Sequence, residues 1–161
     1  GTCGLEILEQ CPTVETILVP VSGGGFLGGI ATAVRGRKPG VRVVGVEPEG
    51  AAKLTAALAA GAPARIDGPK SMADGLLAPS LGEIPFRQMA GVVKEAARVS
   101  EDDIARAVRF LWQQQGWRVE PSGAAAVAAL LGGRLVPTGP AVAVVSGGNV
   151  DPELFSRLIA G

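Results

Sequence analysis

Along the chain, short β-branched apolar runs alternate with alanine-rich stretches of helical spacing. The run Thr16-Ile17-Leu18-Val19-Pro20-Val21 predicts a buried strand that ends at the cluster Gly23-Gly24-Gly25. Leu27, Ile30, Ala31 and Val34 then recur on one helix face, which predicts a helix over 26–37. Lys38-Pro39-Gly40 ends it, because proline lacks the N–H that the ladder needs and glycine favours the turn. A second strand at 41–46 and a helix near 51–60 complete a βαβ unit, whose parallel pairing requires a crossover helix.

Periodicity fades over residues 61–91, where Pro63, Pro69, Pro79 and Pro85 predict loops and short turns folded over the sheet. A short strand is expected within 91–99. Ser100 opens a well-marked helix: Ser100 and Asp103 fit a capping box, acids crowd the first turn, and Ile104, Ala107, Val108 and Leu111 share a face. A helix at 122–131, a strand at 141–145 and a last helix after Asp151 follow, with Pro152 in the first helical position. No internal repeat is visible. The expected fold is α/β, a mostly parallel open sheet with helices on both faces in three αβα layers, forming a single domain over 1–161.

Composition narrows the function. A length of 161 residues with 47% apolar and 19% charged side chains supplies a sizeable core and argues against disorder. Fifteen Lys plus Arg balance fifteen Asp plus Glu, so nothing electrostatic favours nucleic acid or an anionic membrane. The absence of histidine excludes a Ser-His-Asp triad, a Cys-His pair and His-bearing zinc sites. Cys3 and Cys11 form neither a disulfide framework nor a metal knuckle, which suits a reducing cytoplasm. Apolar runs are broken well short of about 18 residues, so neither a membrane span nor a signal peptide is expected. The chain begins at Gly1 without a methionine, which suggests a missing upstream part.

The most informative stretch is Val19 to Gly29, between a strand and a helix. Gly23, Gly24 and Gly25 let backbone N–H groups converge, and the helix that follows adds the positive end of its dipole, so the loop should attract a phosphate. A tight turn with no ligand would also use such glycines. A dinucleotide site is the sharper rival. Gly23, Gly25 and Gly28 satisfy G-x-G-x-x-G, and Glu47 ends the next strand at about the 20-residue distance expected of an acid on the ribose hydroxyls. A second strand runs into glycines at Ser146-Gly147-Gly148-Asn149. If both loops leave carboxyl ends of strands, Ser22 to Gly25 and Ser146 share one crevice, where the hydroxyl can bond a heteroaromatic nitrogen. Val119-Glu120-Pro121-Ser122-Gly123-Ala124 places a further carboxylate before a glycine and a helix.

Taken together, these stretches resemble the fold-type II pyridoxal phosphate enzymes of the threonine and serine dehydratase and serine racemase group. Besides the loops quoted above, Gly1-Thr2-Cys3-Gly4-Leu5-Glu6-Ile7, Gly45-Val46-Glu47-Pro48 and Ala73-Asp74-Gly75 match, in the family's order. The resemblance implies that Ser22, Gly23, Gly24, Gly25 and Phe26 hold the cofactor phosphate through backbone N–H groups. Ser22 replaces the first of the family's usual four glycines. It also implies that Ser146 bonds the pyridine nitrogen, and that Gly75 and Glu120 line the ring. A neutral hydroxyl does not enforce a protonated ring, which is compatible with β-elimination of a small hydroxy amino acid to a 2-oxo acid and ammonia.

Two departures stand out. Some members bind a cation through an acid at the position of Glu47, a carbonyl at Ala51 and an acid two residues later, where this chain has Lys53; that argues against Mg²⁺ or Ca²⁺, and a solvated Glu47 fits as well. The family's Schiff-base lysine has no counterpart either. Lys38, Lys53, Lys70 and Lys94 lack its setting and are expected on the solvated surface. The chain thus looks like the carboxyl-terminal, cofactor-phosphate part of such an enzyme, with no regulatory domain after its last helix. Alone it is expected to be inactive for want of that lysine, and the missing N-terminal half or a second copy in a homo-oligomer is its expected partner. Racemase-like activity, an NAD-binding module and a non-catalytic half-enzyme remain open.

Overall fold

Four strands, Thr16–Pro20 (β1), Arg42–Pro48 (β2), Val93–Val99 (β3) and Ala141–Ala143 (β4), form a parallel sheet in the order β3-β2-β1-β4. The geometry is that of a computed structural model, which describes residues 1–160. β1 lies inside the sheet and is buried at every position, as a strand covered on both faces must be.

Seven helices flank the sheet among the described residues: Thr2–Gln10 (α1), Gly25–Arg37 (α2), Lys53–Ala60 (α3), Glu83–Met89 (α4), Glu101–Gln115 (α5), Pro121–Leu131 (α6) and Pro152–Ala160 (α7). Alternation along the strands divides the core in two. Ile17 and Val19 of β1 join Leu27, Ile30 and Val34 of α2 and Leu54 of α3. Leu18, Val44 and Val46 point the other way, onto Ile104 and Val108 of α5 and the alanines of α6. The three αβα layers follow from that division.

Topology positions the site. The chain steps outward from β1 to β2 to β3 through α2, α3 and α4, then returns through α5 and α6 to place β4 beside β1. The order therefore reverses between β1 and β4, and in open α/β sheets that is where ligands bind, outside the carboxyl ends of the strands.

Two helices were not anticipated. In α1, Gly4 packs so tightly on α2 that a Cβ would stand 2.9 Å from Ala33 Cβ and 3.1 Å from Ile30 Cα. Within the proline-rich stretch, α4 accommodates Pro85 as its third residue, where an N–H would have no partner in the helix. β4 stops at Ala143 rather than reaching 145, although the Val144 N–H still donates to the Leu18 carbonyl at 3.0 Å.

Candidate functional site

β1 delivers the chain to the glycine loop, and α2 begins directly behind it. Gly24 is the N-cap with φ +90°, a conformation that favours glycine. A Cβ there would also crowd Leu81, Pro85 and Met89 at 3.1–3.2 Å. Gly23 and Gly25 differ: a Cβ on either would meet nothing within 4 Å. Packing explains one glycine of the three, and the other two leave bare backbone beside a hollow. The first turn of α2 carries no acid, its leading N–H groups lack partners within the helix, and its dipole puts positive potential there.

The loop after β4 forms the opposite wall. Ser146 N–H donates to the Gly123 carbonyl at 3.4 Å, and Glu120 N–H to the Gly147 carbonyl at 3.2 Å. The approach is close enough that a side chain on Gly123 would overlap the Ser146 carbonyl oxygen. Glu120 caps the start of α6, and its Oε2 accepts from Asn149 N–H at 3.0 Å. A third wall is the 3-10 turn Asp74–Leu76, where Gly75 N–H donates to Ser122 Oγ at 2.9 Å.

These walls enclose a hollow of about 200 Å³. Ser22, Gly23, Gly24, Gly25, Phe26, Gly75, Glu120 and Ser146 all line it, from four separate parts of the chain. Ser122, Pro20, Leu27 and Leu76 line it too and were not singled out from the sequence. Ser122 carried a usable signal, since it sits beside Glu120 in the motif that precedes α6.

The lysines require corrections. Lys53 is not solvated but fully buried, at 0% exposure. Its Nζ donates to the Leu76 carbonyl at 2.9 Å and the Ala51 carbonyl at 3.1 Å, and stands 3.8 Å from Glu47 Oε2. Burial lowers its pKa to about 8 against the opposing pull of Glu47, and the ring of two carbonyls and a carboxylate around Nζ is what an ammonium requires. Lys38 is half-buried, donating to the carbonyls of Pro12 at 2.6 Å and Val14 at 3.0 Å. Lys70 and Lys94 are exposed as expected, and no lysine lines the hollow.

Glu47 is likewise buried rather than solvated. Its carboxylate accepts from Leu54 N–H at 2.7 Å and from Thr55 N–H and Oγ1, both at 2.8 Å. It is spent on the start of α3 and absent from the lining of the hollow, so the ribose-binding acid of a dinucleotide site is missing. Glu47 and Ala51, the candidate metal ligands, are both engaged by the Lys53 ammonium. No group of three His, Cys, Asp or Glu suited to a metal occurs among the described residues. The corner does not fit a divalent cation.

Residues 1–147 match the family described as pyridoxal-phosphate dependent enzyme. The chain belongs to that family. L-threonine ammonia-lyase of Thermotoga maritima is 39% identical over 160 residues, covering 99% of this chain and 40% of the relative. The solved T.th. threonine deaminase superposes with a TM-score of 0.87 at 40% identity, over 93% of this chain and 55% of that one. Maize serine racemase superposes at 0.88 with 33% identity, over 99% of this chain and 50% of that one. The chain therefore spans about half the length of these relatives. The cradle suits the family's cofactor, because bare backbone at a positive helix end fits a phosphate. No described helix is long and apolar enough to cross a membrane.

Proposed function

We propose that this chain is the cofactor-phosphate part of a pyridoxal phosphate-dependent ammonia-lyase of the threonine and serine dehydratase kind, which eliminates water from a small hydroxy amino acid to give an enamine that water then hydrolyses to a 2-oxo acid and ammonia. The observation that carries this reading is the pair Gly23 and Gly25, bare without packing need at the start of α2 and facing a hollow shared with Ser146. When bound, the cofactor supplies an electron sink for the substrate α-carbon. The N–H groups of Gly23 to Phe26 donate to its phosphate, and the α2 dipole adds attraction. The Ser146 hydroxyl bonds the ring nitrogen without forcing a proton onto it. Glu120, held by Asn149, and Gly75, held by Ser122, fix the walls on either side.

With no lysine lining the hollow, this chain binds the cofactor without a covalent link, and turnover needs a lysine from a complementing N-terminal half. Cys3 and Cys11, both free thiols, support a reducing, cytoplasmic setting. Racemase-like exchange at the α-carbon is the second reading, favoured by the likeness to maize serine racemase.

A thermal melt tests this. Pyridoxine phosphate, which has no aldehyde to react with surface lysines, should raise the melting temperature, and NAD should not. At 100 times its dissociation constant a ligand stabilises by roughly 2.7 kcal/mol. A rise with NAD alone would overturn the reading, and turnover of serine or threonine by the purified chain would overturn the requirement for an outside lysine.

A further inference from the structure

Lys53 breaks two local rules at once. It occupies the first position of α3, where the helix dipole repels a cation, and it is removed from water entirely. Such violations mark positions where something other than local propensity decides the residue.

Its surroundings show what decides it. The Ala51 and Leu76 carbonyls and the Glu47 carboxylate form a niche of oxygen atoms between β2, the 3-10 turn Glu49–Ala51 and the turn Asp74–Leu76. Oxygen donors are what a hard cation takes, but Mg²⁺ and Ca²⁺ need about six to eight of them. An ammonium needs only three acceptors, and its single charge balances Glu47. No buried polar side-chain atom lacks a partner among the described residues.

We propose that the Lys53 ammonium is this protein's resident cation, which pins the turn carrying Gly75, one wall of the hollow, to the end of β2 so that the site is built without a metal ion. Leu76 is held through its carbonyl by Lys53, and Gly75 through its N–H by Ser122, so the turn is clamped from both sides. Lys53 is thereby a positioning residue. Its effect on cofactor binding rests on the function proposed above, whereas its effect on the turn does not.

The test melts the chain without cofactor in EDTA, in millimolar Mg²⁺ and in millimolar Ca²⁺. The wild type should melt at one temperature in all three. Lys53→Asp, which adds a second carboxylate to the niche, should melt lower in EDTA and recover with a cation. Folding only in the presence of cation is the same result in stronger form. Lys53→Met should melt lower and gain nothing from either ion, and its amide exchange at Gly75 and Leu76 should be roughly tenfold faster than in the wild type. A wild type stabilised by cation, a Lys53→Asp chain that no cation rescues, or a Lys53→Met chain with wild-type exchange at Gly75 would each overturn the proposal. Pyridoxine phosphate titrated into the wild type in EDTA separates the two readings: failure to bind counts against the cofactor function alone, while the cation results stand by themselves.

Discussion

β1 and β2 are neighbours that each run into a helix at the same edge of the sheet, yet their helix starts are used in opposite ways. After β1, α2 begins with glycines and no acid, and its leading N–H groups face a hollow. After β2, α3 begins against the chain's own Glu47 carboxylate, which accepts from Leu54 and Thr55, with the Lys53 ammonium alongside. Both starts offer positive potential to an anion. One leaves the position free for a ligand's phosphate, and the other fills it from within. The G-x-G-x-x-G pattern and Glu47 look like a single dinucleotide motif on paper, but the carboxylate belongs to the filled start.

The filled start should be the more expensive to disturb. Glu47→Ala leaves a buried ammonium without its counter-charge, and the loss should be about 3–5 kcal/mol, read in a urea melt. A change below about 1 kcal/mol would mean the corner is not the structural anchor described.

α5 offers a third start, also filled, whose contribution can be titrated. Burial acts to raise the Asp103 pKa, but hydrogen bonds from Ser100, Arg134 and Arg106 outweigh it and bring the carboxyl from 3.8 to about 2. A depressed folded pKa means the unfolded chain binds the proton first as pH falls. Asp103 therefore contributes stability above about 3.8 and loses it as pH falls towards about 2. Asp103→Asn should cost on the order of 2 kcal/mol near neutral pH, and the gap to the wild type should narrow across that acid range.

The smallest effects sharpen the contrast at the open start. Gly24→Ala strains a positive φ and crowds Leu81 and Pro85, so a loss of about 1–2 kcal/mol is expected. Ser146→Ala should leave stability within about 0.5 kcal/mol. It should weaken pyridoxine phosphate by about 0.5–1.5 kcal/mol while leaving inorganic phosphate unaffected, because only the ring nitrogen is lost as a partner.

The parts of the fold legible in the sequence were those where local signal and burial agree. Ile17, Leu18 and Val19 make a run that only a strand covered on both faces tolerates, and the Ser100–Asp103 box forms as its spacing implies. α1 escaped notice because Gly4, a poor helix former, is there for close approach to Ile30 and Ala33 of α2, which is tertiary information. α4 escaped because Pro85 reads as a breaker unless the start of the helix is already known. The lining of the hollow was largely legible, since its glycines and Ser146 sit at strand ends. Lys53 was not, because a lysine in an alanine-rich helix reads as surface, although its place where some family members carry an acid set it apart.

The most direct measurement is a calorimetric titration of pyridoxine phosphate into the wild type and into the double variant Gly23→Ala with Gly25→Ala. Because a Cβ at either position meets nothing in the protein, the ligand-free melting temperature should not fall. Affinity should drop by at least tenfold, about 1.4 kcal/mol, as the methyl groups take the place of phosphate oxygens. Equal affinity in the two proteins would contradict the glycine loop's role as the phosphate cradle.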